Sequence, residues 1–127
     1  MDRGNSGTDA PARVREYYRA LDEHDYDALA ALLAPAFVQE RPDLTLAGRD
    51  RFVQFMREER PRTDTTHAVD AVYVAASASG GDGATGGQVE VAARGRLRTG
   101  DGETMARFVD VFSLGDDGFE RLDTYTQ

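Results

Sequence analysis

The sequence predicts an α+β domain: one curved, mostly antiparallel sheet with helices packed on one face, in the order ααβαββββ. Two observations predict it. Helical periodicity fills the first half of the chain, to about residue 60, and strand alternation with glycine-rich turns fills the second. A third bounds it: 127 residues at 40% hydrophobic content suffice for one core. The expected layout is a flexible start over 1–11 and a single domain over 12–127.

The first helix is expected after a cap at Asp9, with Pro11 in its first turn. Val14, Tyr17, Tyr18 and Leu21 form an apolar stripe, while Arg13, Arg15, Glu16, Arg19 and Asp22 take the wet face. The helix stops at Glu23-His24, a solvated turn. Asp25 caps a second helix, carrying Tyr26, Leu29, Ala30 and Leu33 on its apolar side and ended by Pro35. A short strand, Phe37 to Arg41, closes at Pro42. The loop DLTLAG then leads through Gly48 to a third helix, with Phe52, Phe55, Met56 and Glu59 at helical spacing and Pro61 as its stop.

The second half reads as strands. THAVDAVYVAASA is one, with His67, Val69, Ala71 and Tyr73 on one face. SGGDGATGGQ lacks the lysine and helix start of a phosphate loop, so it reads as a hairpin tip. VEVAARGRLRT is the partner strand, and Gly100-Asp101-Gly102 turns the chain back. In ETMARFVDVFSL, Phe108, Asp110, Phe112 and Leu114 share one face; Met105, Val109 and Val111 share the other. A strand apolar on both faces needs a second cover, and a partner subunit supplies it most economically. The last strand runs from Phe119 to Tyr125.

Charge narrows the partners. Twenty-three acidic residues against fifteen basic ones give −8, so nucleic acid and anionic membrane are not expected to bind. All fifteen basic residues are arginine, and the lysine-free, Asp-, Ala- and Gly-rich composition resembles that of extreme halophiles with GC-rich genomes. No apolar run spans a bilayer and no signal peptide opens the chain, which makes the cytoplasm the expected location. There is no cysteine, and two separated histidines offer no metal cluster. Neither a nucleophile elbow nor a dinucleotide fingerprint is present, so no cofactor and no metal is expected.

YYRALDEHDYDALAALLAPAFVQERP, GRDRFVQFM and RFVDVFSLGDDGFERL together resemble the nuclear transport factor 2-like superfamily, in particular its SnoaL-like and ketosteroid-isomerase-like members. The resemblance spans roughly residues 12 to 125. It implies a cone-shaped α+β barrel with a pocket at its wide end and a homodimer formed through the outer face of the sheet. Tyr17 falls where the ketosteroid isomerases have an oxyanion-hole tyrosine, and Asp110 where they have the acid sharing that hole. Their general base precedes the proline ending the first strand, and here that position is Arg41.

The candidate chemistry follows. Asp110 lies among aromatics, and desolvation there raises a carboxyl pKa into the range of acid/base work. The alternative is an ion pair with Arg94 or Arg96. His67 is a candidate proton shuttle and Tyr17 a candidate donor to a ligand carbonyl. Tyr18, Arg41, Phe52, Met56, Arg94, Phe108, Phe112 and Tyr125 are the expected pocket residues, with Tyr73 packed beneath. Two functions fit. One is a cofactor-independent isomerase, cyclase or hydrolase acting on a small apolar or aromatic ligand, with Asp110 as acid or base. The other is a non-catalytic ligand-binding or dimeric accessory protein whose base has become Arg41.

Overall fold

The computed structural model describes residues 6–60, 64–75 and 89–127. The expected hairpin tip at 79–88, the first five residues and Pro61 lie outside them. Helix α1 (Ser6–Asp22) begins ahead of the expected cap at Asp9 and so encloses Pro11, where one i→i−4 bond is forgone. Its stripe is as read: Val14, Tyr17, Tyr18 and Leu21 are buried. His24 sits at φ 61°, the left-handed conformation that reverses the chain between helices. Asp25 then caps α2 (Tyr26–Ala31) by accepting from the Ala28 N–H at 3.2 Å.

Two elements differ from expectation. Strand β1 (Leu33–Glu40) starts earlier and runs through Pro35. Its pairing shifts register between Leu33 and Val38, which is where a residue without an N–H is tolerated in a sheet. The loop DLTLAG contains a three-residue strand, β2 (Thr45–Ala47), pairing antiparallel with β1. The observed order is therefore ααββαββββ. Gly48 leads into α3 (Arg49–Gln54), which widens into a π-helical turn (Phe55–Glu59) that buries Phe55 and Met56.

Strands β3 (Thr66–Val74), β4 (Val89–Arg98), β5 (Thr104–Gly115) and β6 (Gly118–Thr126) complete the sheet. Its order is β2-β1-β6-β5-β4-β3, antiparallel except where β1 meets β6. The sheet is curved and stays open, with β2 and β3 as its edges. The helices fill the inner face, where Phe37, Phe52, Phe112 and Phe119 are fully buried. Tyr17 meets Phe112 edge to face at 5.2 Å, and Phe37 meets Phe52 at 4.9 Å. Gly95 of β4 lies under the Phe108 ring; a Cβ there would come within 2.9 Å of it. The Ala68 carbonyl oxygen is nearer still, so the space at Gly95 is closed by both the backbone of β3 and the Phe108 ring. No helix among the described residues is long and apolar enough to cross a membrane.

Two irregularities reset side-chain phase. Between Val69 and Ala71 the β3–β4 register shifts, so Val69 and Val72 both pack on the core while Tyr73 is 51% exposed. Between Leu97 and Arg98 the β4–β5 register also shifts, leaving Met105 as an extra residue. That turns Met105 to the inner side, away from the outer face on which alternation alone puts it.

Candidate active site

Beneath the C-terminal half of α1 the sheet leaves a cavity of about 250 Å³. Asp110, His67, Tyr17, Arg41, Met56 and Phe108 all line it. Leu21, Gln39, Arg60, Thr65, Met105 and Thr124 also line it and were not anticipated.

Asp110 is 5% exposed on the inner face of β5. The Tyr18 hydroxyl donates to its Oδ2 at 2.6 Å, and the Thr124 hydroxyl to its Oδ1 at 2.7 Å. Register explains the second contact, since Thr124 of β6 is the direct cross-strand partner of Asp110. On the other side the partner is Ala93, too small to intrude. Gln39, one strand further along, donates from Nε2 to the Thr124 oxygen at 2.9 Å, making a relay Gln39→Thr124→Asp110. Burial pushes the Asp110 carboxyl above its ordinary pKa, against the hydrogen bonds from Thr124 and Tyr18 and the positive influence of His67 and Arg41. The alternative, an ion pair with Arg94 or Arg96, is not formed. Those arginines stand on the outer face of β4, where Arg96 pairs with Asp70 at 3.0 Å.

His67 enters on β3. Its backbone N–H donates to Asp22 Oδ2 at 2.8 Å, and its Nδ1 lies 2.6 Å from Asp22 Oδ1. An ionised carboxylate only accepts, so the assigned tautomer has Nδ1–H facing Asp22 and Nε2 as a basic nitrogen. The ring lies 5.0 Å from that of Tyr18 and 5.4 Å from that of Phe108. Tyr18 thus touches both candidate groups, the imidazole through its ring and Asp110 through its hydroxyl. The resemblance singled out Tyr17; the tyrosine bonded to Asp110 is Tyr18. Tyr17 lines the cavity instead, its phenol held well above its ordinary pKa by burial first and Asp110 second, which keeps it a neutral donor.

The remaining expected residues divide by depth and face. Phe52 and Phe112 are fully buried beneath the cavity rather than on its wall. Arg94 and Tyr125 are cross-strand neighbours of Val109 on the outer face, and Tyr125 is 60% exposed. Period-two alternation puts Thr124, not Tyr125, on the inner face. Asp22 had a legible signal: it lies four residues after Tyr18, so it continues the buried stripe of α1.

Two arginines complete the wall. Arg41 pairs with Asp43 at 3.2 Å and lies 5.5 Å over the Phe55 ring. Arg60 donates to the Leu21 carbonyl at 3.4 Å and the Tyr26 hydroxyl at 3.2 Å, both neutral. Among the described residues three buried side-chain polar atoms lack a partner, and two of them belong to this wall: Gln39 Oε1 and Arg60 Nε. A buried polar group without a partner costs about 1–3 kcal/mol, so each of these atoms is a place where water or a ligand could add a hydrogen bond.

The chain's similarities to known proteins agree with this architecture. No curated protein is similar enough in sequence to match. Among solved structures, an NTF2-like protein of unknown function from Cytophaga hutchinsonii superposes with a TM-score of 0.70 at 16% identity, covering 100% of this chain and 95% of that one. A candidate ketosteroid isomerase from Kribbella flavida gives 0.60 at 24%, covering 91% and 76%. A candidate isomerase of the SnoaL-like family from Agrobacterium tumefaciens gives 0.67 at 16%, covering 94% and 98%. At these identities the likeness is one of fold. The family assignment comes from sequence: the SnoaL-like domain model matches residues 14–120, and the chain belongs to that family.

Proposed function

We propose that the protein is a proton-transfer enzyme acting on a small carbonyl compound, by isomerisation, ring closure or addition of water. One observation carries this reading. A carboxyl and an imidazole, each oriented by its own partners, line the same cavity. His67 Nε2 takes a proton from carbon next to the carbonyl, and the electron pair moves onto the carbonyl oxygen. Tyr17, or Asp110 in its protonated form, donates a hydrogen bond to that developing oxyanion. The His67 imidazolium, steadied by Asp22, then returns the proton at a new position.

The test needs no known substrate. A panel of small cyclic ketones and β-hydroxy ketones is incubated with the protein in deuterated water, and exchange at the α-carbon is followed by NMR. Exchange with the wild type, reduced about 10²–10⁴-fold in His67→Ala, supports the reading. Equal exchange in His67→Ala, or none with any compound, sinks it.

Two facts favour a binding role instead: both Asp110 oxygens already accept hydrogen bonds, and Arg41 stands where the related isomerases keep their base. A wild type that binds a ligand without exchanging it, and binds it equally well as Asp110→Asn, establishes that alternative. The outer face of the sheet supports a further proposal, a homodimer. Tyr73, Val109 and Tyr125 are large apolar residues exposed there. Sedimentation at micromolar concentration decides between dimer and monomer.

A further inference from the structure

We propose that the cavity selects small ring compounds bearing a carboxylate, which the Arg41–Arg60 side of the wall holds. The proposal rests on the cavity being a ligand site, as above, and not on its being catalytic. In a chain of net charge −8, two guanidinium groups on the wall of one 250 Å³ cavity are against the general trend of the surface. They are also underused. Arg60 is bonded to a carbonyl and a phenol, neither of which neutralises it, and among the described residues no carboxylate pairs with it. Its Nε is a buried donor with no acceptor. Arg41 has one carboxylate, Asp43, which is 64% exposed and therefore a partner screened by water. A charged fork with unused donors fits a planar carboxylate, which accepts two parallel hydrogen bonds.

The location is consistent. Arg41 and Arg60 both act on the Tyr17 phenol, favouring its anionic form against Asp110. The cavity wall thus holds its positive charge at Arg41 and Arg60 and its carboxylate at Asp110. A ligand with its carboxylate at the arginines presents its ring to His67, Phe108 and Asp110. The volume lies below the range of about 300–1,000 Å³ usual for drug-sized ligands, so a single ring is the fitting size.

The experiment compares benzoate with benzamide, its neutral counterpart of the same shape, by titration calorimetry at pH 7. Wild type, Arg41→Gln, Arg60→Gln and the double variant are compared, each checked by thermal melting. The expected result is at least tenfold tighter binding of benzoate than benzamide. That preference falls at least threefold in Arg41→Gln, whose partner is exposed, and disappears in the double variant while benzamide is unaffected. Benzamide binding as tightly as benzoate overturns the proposal, as does an undiminished preference in Arg41→Gln or the absence of saturable benzoate binding. Exchange of neutral ketones in deuterated water by a protein indifferent to benzoate leaves the catalytic reading standing and removes this one. Arginine-dependent benzoate binding without any exchange does the reverse.

Discussion

The two faces of strands β4, β5 and β6 hold their charges in opposite ways. On the outer face, Arg96 pairs with Asp70, and Arg121 with Asp123 and Glu40, all within reach of water. On the inner face Asp110 is met by hydroxyls, from Tyr18 and Thr124, and among the described residues no arginine pairs with it. An exposed ion pair holds both partners ionised at little cost. A buried carboxyl satisfied by neutral donors keeps both protonation states accessible. The chain has arginine enough to neutralise Asp110, and the register of β4 turns Arg94 and Arg96 away from it. The difference between the faces is therefore between charge paired within reach of water and charge buried among neutral donors.

The largest expected effect tests depth. Phe112→Ala removes a fully buried ring that packs on Tyr17, Tyr18 and Phe119, and should cost about 3–5 kcal/mol. Val109→Ala, one turn of the pleat away on the outer face, should change monomer stability by less than about 0.5 kcal/mol. Urea melts of both variants measure this. A comparable loss in Val109→Ala, dependent on protein concentration, would show that the outer face is covered by a second copy.

Next is the pair formed by His67 and Asp22. Asp22→Asn replaces a charge-assisted contact with a neutral one and should cost about 1.5–3 kcal/mol. It also leaves one acceptor oxygen where His67 uses two, for its backbone N–H and for Nδ1, so the ring proton is no longer fixed on Nδ1. Exchange activity should fall further than stability alone explains. Full activity in a folded Asp22→Asn protein would show that His67 needs no orienting partner.

How much of this was legible in the sequence depends on the phase of each element. Regular periods were read correctly: the stripe Val14, Tyr17, Tyr18, Leu21 and the face Phe108, Asp110, Phe112, Leu114 are buried as expected. Bulges were not legible. The shift at Asp70 moves Tyr73 outward and the shift before Arg98 brings Met105 inward, and neither leaves a local sequence mark. Strand β2 was missed because three residues carry too little pattern to distinguish a strand from a loop. Thr124 and Gln39 were missed for another reason. Their role arises from cross-strand register, which sets Thr124 opposite Asp110 and has no counterpart in local spacing. Asp22 was assigned to the wet face because charge was weighed above position on the helix.

The Asp110 carboxyl gives a pH test with a definite sign. Burial raises its pKa in the folded protein, so the folded state binds the proton more tightly than the unfolded state. The stabilisation is fully present below the unfolded value of about 3.9 and is lost as pH rises through the folded value. Asp110→Asn carries no charge at any pH. Its melting temperature relative to wild type should therefore be higher at pH 7 than at pH 3.5. A gap that does not change between these values would mean that folding leaves the Asp110 pKa unshifted, and a relative melting temperature lower at pH 7 would mean that its hydroxyl donors hold it ionised in the fold.

The smallest effect separates the faces by salt. Arg96→Gln breaks an exposed pair with Asp70 and should cost no more than about 1 kcal/mol in dilute buffer. In molar KCl the Debye length is about 3 Å, and this cost should vanish. The same salt screens the mutual repulsion of a chain at −8, so the wild type should melt higher in molar KCl even as its surface pairs weaken. Asp110 is 5% exposed with its donors in contact, and a group so buried is screened far less by salt. The Asp110→Asn difference at pH 7 should thus persist in molar KCl while the Arg96→Gln difference disappears. If both fade together, the inner face is as open to solvent and ions as the outer one, and the distinction between them fails.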